Sequence, residues 1–106
     1  MEFTETSIFT KHIQALLDDD EYGDLQYELA QHPKAGDVIP GGHGLRKIRW
    51  KSSRKGGGKR GGVRIIYYCW SEHQLYMLFA FEKSQQGDLT KEQLRTLSAY
   101  VKEGVS

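Results

Sequence analysis

The chain has 106 residues, 38% hydrophobic, 11% aromatic and 27% charged, with fifteen Lys and Arg against fourteen Asp and Glu for a formal net charge of +1. That length forms one domain, 1–106, and excludes a multidomain enzyme, while the aromatic content excludes a disordered chain. A single cysteine, Cys69, excludes an intrachain disulfide framework and a Cys-rich zinc site, and a cytoplasmic protein without a membrane partner is expected: no apolar run approaches the roughly 20 residues of a membrane helix, and the N-terminus lacks the pattern of a signal peptide.

Apolar positions at Ile8, Phe9, Ile13, Leu16 and Leu17 recur at near-helical spacing and predict an amphipathic helix over 7–17, capped by Thr6 or Ser7. The acids Asp18 to Glu21 interrupt it. A second helical pattern runs through Tyr22, Leu25, Tyr27, Leu29 and Ala30 until His32-Pro33 ends it, so the pair is expected as a helical hairpin. Residues 34–44, Gly-rich with Pro40, are predicted as a loop. Beyond them the period changes to two: Ile48 and Trp50 face one way, Lys47, Arg49 and Lys51 the other. Residues 52–62 hold five glycines among Arg54, Lys55, Lys59 and Arg60 and are expected as a flexible cationic tip joining two strands.

Residues 63–70 and 75–81 are nearly continuous in β-branched and aromatic residues and predict two central strands joined by a turn. In the first, Arg64 shares its face with Ile66, Tyr68 and Trp70. A lone Arg in such a strand has to reach a ligand, a carboxylate or the rim of the sheet. Leu94, Leu97, Tyr100 and Val101 mark a last helix, with Asp88 or Thr90 as its cap. With a short strand at 2–4, the order predicts an α+β fold: two N-terminal helices packed on a small antiparallel sheet, a C-terminal helix following, and all helices against one sheet face.

The near-zero net charge is a sum of unlike parts. Residues 1–37 hold nine acids against Lys11 and Lys34, a net of −7, whereas residues 38–71 hold nine bases and no acid; the remainder has a net of −1. A concentrated basic block sets a local potential suited to a polyanion whatever the total. The competing explanation is a solvated loop whose lysines aid solubility. Against it, the block alternates with apolar residues and is thus partly built into strands.

No Walker-type phosphate loop is present, since Lys59 is followed by Arg60, and His12, His32, His43 and His73 are scattered without metal-ligand spacing. Cys69, within an apolar strand, is expected in the core. Neither a metal nor another cofactor is expected. What remains is a cationic surface of Lys47, Arg49, Lys51, Arg64 and Lys83. Strands lie about 4.8 Å apart, so such residues converge on one phosphate if their registers agree. RNA supplies its own 2′-hydroxyl nucleophile, and cations can stabilise the charge that builds on phosphate and leaving oxygen.

Taken together, Gly36-Asp37-Val38-Ile39-Pro40, Gly44-Leu45-Arg46-Lys47-Ile48-Arg49, the run from Gly58 to Tyr68 (GKRGGVRIIYY), and Phe81-Glu82-Lys83 leading to Asp88-Leu89-Thr90 resemble the RelE/ParE superfamily of toxin–antitoxin toxins, most closely its HigB-type branch. The resemblance covers nearly the whole chain. It implies a RelE-like microbial ribonuclease fold and an mRNA interferase: a metal-independent endoribonuclease that cleaves message in the ribosomal A site and inhibits translation. It also implies three partners: the ribosome with its rRNA, mRNA, and a cognate antitoxin of helix-turn-helix, HigA-like type. By the same resemblance Arg64 is the phosphate-stabilising arginine, Lys47 and Arg49 are the preceding strand cations, Lys83 is the late-strand basic residue and Glu82 an acid or base. Arg46, Lys51, Arg54, Lys55, Lys59 and Arg60 are expected to bind RNA or the ribosome. RelE has a further arginine and a tyrosine downstream, where this chain has Ser84 and Thr90. Tyr67 or Tyr68 would stack on a base unless both belong to the core. Two rivals stand beside this reading, a ParE-like non-nuclease toxin acting on DNA gyrase and an RNA-binding module without catalysis.

Overall fold

A computed structural model describes residues 1–52 and 62–105. Its elements are β1 (Glu2–Glu5), α1 (Ser7–Leu16), α2 (Asp19–Gln31), β2 (Asp37–Val38), β3 (Leu45–Trp50), β4 (Val63–Ser71), β5 (Gln74–Glu82) and α3 (Lys91–Tyr100), which runs into a π-helical turn at Val101–Val105. No described helix is long and apolar enough to cross a membrane.

Each helix starts at a side-chain acceptor, which meets backbone N–H groups that have no partner within the first turn. Thr6 Oγ1 accepts from the Phe9 N–H at 3.0 Å. Asp18 and Glu21 form a reciprocal capping box, with bonds of 2.7 and 3.0 Å. The acids that break the first helical pattern are therefore the start of the second helix, where the positive end of the helix dipole favours them. Thr90 and Gln93 form the same box at α3, which leaves Asp88 outside the helix.

The five strands lie in the order β1-β5-β4-β3-β2. β3, β4 and β5 form the expected antiparallel meander. The sheet as a whole departs from the wholly antiparallel expectation, because β1 pairs parallel to β5, from Glu2 opposite Gln74 to Glu5 opposite Met77. β2 also lies inside the predicted loop and pairs with β3 through Asp37–Lys47 and Val38–Arg46. After β1 the chain keeps to the outer edge of β5. Thr6 Oγ1 donates to the Leu78 carbonyl at 3.0 Å and His12 Nδ1 lies 3.2 Å from the Ala80 carbonyl, so α1 occupies the edge that β1 leaves open.

The helices cover both faces of the sheet, not one. Phe9, Ile13, Leu25 and Leu29 of the first two helices pack with Ile48, Ile65, Tyr67 and Met77. On the other face, Leu94 and Leu97 of α3 and Val101 beyond it pack with Leu45, Ile66, Phe79 and Phe81. Burial on both sides is what the unbroken apolar runs of β4 and β5 require. A bulge adjusts the fit: Ile66 pairs with Phe79 but Tyr67 with Met77, so Leu78 is an extra residue in β5.

Tyr67 belongs to the core and is fully buried. Its hydroxyl donates to the Pro33 carbonyl at 2.8 Å and accepts from the Gly36 N–H at 2.9 Å, which fixes residues 33–36 against the sheet. A Cβ on Gly36 would lie 2.8 Å from the Tyr67 ring, so only glycine permits this approach. Tyr67→Phe should lower stability by about 1–3 kcal/mol, because it strands two backbone groups; a urea-denaturation midpoint equal to wild type would contradict that role.

Candidate nucleic-acid interface

The register of β3 against β4 decides which cations meet. Arg49 lies directly opposite Arg64, and Lys47 opposite Ile66. Residues paired this way share a face, and Ile66 belongs to the apolar layer under α3. Lys47, Arg49 and Arg64 are thus gathered on the α3 face of the sheet, as the period-two pattern predicts for the first two. Phe81 pairs with Arg64 from the far side and provides an apolar floor.

Like charges directly opposite one another destabilise a sheet, and Arg64 adds the cost of burial, being 7% exposed. Its guanidinium pKa is lowered, first by desolvation and then by Arg49, with Asp88 acting in the opposite sense. Lys83 follows the end of β5; its N–H donates to the Gly62 carbonyl at 3.0 Å, tying the end of that strand to the start of β4.

Asp88 is the carboxylate that this cluster holds; the sequence offers it as a helix cap and within the Asp88-Leu89-Thr90 motif, and not as a partner of Lys47. Its Oδ1 accepts from Lys47 Nζ at 2.9 Å and from the Leu89 N–H at 2.8 Å. Gln86 Nε2 donates to the Asp88 carbonyl at 3.0 Å and also to Gln93 Oε1, so the loop is fastened to the first turn of α3. Lys47 and Asp88 are 41 residues apart, and no local pattern announces their contact. The Lys47 hydrogen bond is the main cause that lowers the Asp88 pKa below its ordinary 3.8; Lys83 contributes through its charge. A carboxyl depressed in the folded state stabilises the fold above the ordinary value, and the contribution is lost as pH falls through the lower, folded value. A carboxyl-carbon NMR titration should place the Asp88 midpoint below 3.8, and Lys47→Ala should move it upward.

Other expected site residues lie elsewhere. Glu82 pairs with Val63, a residue of the apolar layer under α1 and α2, and lines a cavity there with Lys11 and His12; it is on the opposite face from Arg64. Arg46 also turns away, and its Nη1 donates to the Gly36 and Lys34 carbonyls at 2.7 and 3.3 Å, a role in holding the loop. Lys51 is exposed just beyond β3. Arg54, Lys55, Lys59 and Arg60 lie outside the described residues. Tyr68 is half-buried over Gly44, where a Cβ would stand 2.9 Å from its ring, and the Thr90 hydroxyl serves as a helix cap.

Among the described residues no three His, Cys, Asp or Glu side chains gather as a metal site. The chemistry that the α3 face offers is anion binding by Lys47, Arg49, Arg64 and Lys83, with one carboxylate in contact. Guanidinium groups suit this role because they present several N–H donors in a fixed plane to phosphate oxygens. No protein-family model matches the chain.

Proposed function

We propose that the protein is a toxin of the RelE/ParE type, in the HigB-like branch, that cleaves mRNA on the ribosome and is held in check by a cognate antitoxin. The observation that supports this most is the pairing of Arg49 with Arg64 on one face of the sheet, beside Lys47 and Asp88. Two opposed arginines over an apolar floor are costly in the free protein and favourable around a phosphate.

In the proposed reaction the 2′-oxygen of the message forms a bond to the adjacent phosphorus while the bond from phosphorus to the 5′-oxygen breaks. The products are a 2′,3′-cyclic phosphate and a 5′-hydroxyl. Negative charge grows on the non-bridging oxygens, where Arg64 and Arg49 stabilise it in this proposal, and on the leaving oxygen, which is assigned to Lys83. Low dielectric around Arg64 strengthens these interactions, and the fixed strands require little reorganisation. Lys47, held by Asp88, orients the strand. Glu82, on the far face, has no part in the step as proposed; the 2′-hydroxyl proton passes to water, and the leaving 5′-oxygen takes its proton from the Lys83 ammonium.

Primer extension on transcripts from cells expressing the protein tests the reading. New 5′ ends within translated frames are expected, and they should vanish with Arg64→Ala. Transcripts without new ends, together with a gyrase-dependent DNA-damage response, would instead support the ParE-like alternative. Tight ribosome binding without cleavage in a programmed-ribosome assay would leave an RNA-binding module.

A further inference from the structure

A second group of cations lies along α3 and the π-helical turn that follows it, apart from the Arg64 cluster. Lys91 and Arg95, one turn apart on α3, and Lys102 of the π-helical turn, with Ser98 between the last two, form one stripe. This stripe walls a cleft of about 390 Å³ whose other side is Gly41 and His43. Lys91 and Arg95 are exposed and have no ion pair among the described residues. Like charges at i and i+4 weaken a helix, so an anion between them would reverse a cost that the free protein carries.

Ser98 gives an independent sign. It is 5% exposed, and its hydroxyl has no hydrogen-bond partner, although it stands in the wall of the cleft. Buried donors without acceptors are rare; the oxygen itself has no accessible surface, so a rotation of the side chain would bring it to a phosphate oxygen in the cleft. His43 is held across the cleft at φ 56° by a tight turn in which the Gly42 N–H donates to the Ile39 carbonyl at 2.9 Å. Glu103 is the acid of the lining and lies at its C-terminal end, which leaves the Lys91–Arg95 end as the seat for an anion.

Both walls of the cleft lie close along the chain to residues of the first cluster. His43 lies two residues before β3, the strand that carries Lys47 and Arg49, and Lys91 lies three residues after Asp88, which holds Lys47. We infer that the cleft between α3 and residues 41–43 is a second backbone-phosphate site, which grips the RNA strand away from the phosphate bound at Arg64. This rests on the nuclease reading above. Contacts of this kind position a strand without reading its sequence.

Binding of a short 2′-O-methyl RNA, which cannot be cleaved, should be measured across a salt series with the full chain. Three proteins suffice: wild type, Lys91→Ala/Arg95→Ala and Arg64→Ala. The double variant should bind about tenfold more weakly, and its slope of log affinity against log salt should fall by about 0.7–1.4, corresponding to one or two lost phosphates. Excess inorganic phosphate should not restore that difference, which separates a strand contact from a site for free phosphate. If wild type binds with a salt-dependent affinity that the double variant matches, the second site is wrong and the nuclease reading stands. If wild type shows no salt-dependent binding, the second site is likewise wrong, and the nuclease reading is then decided by primer extension alone.

Discussion

Arg64→Ala should leave a folded protein whose cleavage rate on programmed ribosomes is about 10²–10³-fold below wild type, the usual loss when one preorganised donor to a transition-state oxyanion is removed. The fold should survive because the side chain is a burden as well as a partner. It is 7% exposed and faces Arg49, so its loss removes a buried cation and a like-charge opposition. Thermal unfolding followed by circular dichroism separates the two effects. Arg64→Lys should recover only part of the rate, since an ammonium keeps the charge but loses the planar fork of donors. Lys51→Ala, at an exposed position beyond β3, should change the rate by less than about threefold and act mainly through salt-dependent binding. A folded Arg64→Ala protein with full cleavage would remove Arg64 from the reaction and leave the opposed arginines without a function.

How much of this was legible in the sequence depended on the range of the interactions. Alternation within a strand is local, so it puts Lys47 and Arg49 on one face, as the register does, and the unbroken run from Val63 marks a strand buried on both sides. The capping box was equally local. Asp18 followed three residues later by Glu21 is its signature, so the same acids that end the first apolar pattern mark the start of the second helix. Glu82 depends on pairing instead: it stands opposite Val63 on the α1 and α2 face, whereas Arg64 lies on the other, and the motif alone does not separate the two. What the sequence could not provide was non-local pairing. The parallel contact of β1 with β5 joins residues 72 positions apart, and the Lys47–Asp88 contact spans 41; neither has a turn or periodicity that announces it. The two-residue β2 is too short to show a period at all, and it exists because β3 offers it an edge.

Gly62→Ala should be the most damaging small substitution on the described chain, at about 2–4 kcal/mol of stability. Gly62 has φ 61°, in the left-handed region where a Cβ is strained, and that Cβ would stand 2.5 Å from the Trp50 carbonyl oxygen. The obstacle is backbone of β3, so relief requires the strands to separate. The consequence reaches the proposed site. The Gly62 carbonyl accepts from the Lys83 N–H, and Gly62 directly precedes the segment that pairs Arg64 with Arg49. Separating the strands at this point would therefore displace Lys83 and loosen the opposed arginines together, and cleavage should fall even at low temperature where the variant remains folded. Gly23→Ala provides the contrast. Gly23 lies within α2 with open space around it, so alanine there should stabilise by about 0.5–1 kcal/mol by restricting the unfolded chain and favouring the helix. Urea-denaturation midpoints should move in opposite directions for the two variants. Equal midpoints would show that the close approach at Gly62 is not what holds β3, β4 and the Lys83 segment in register.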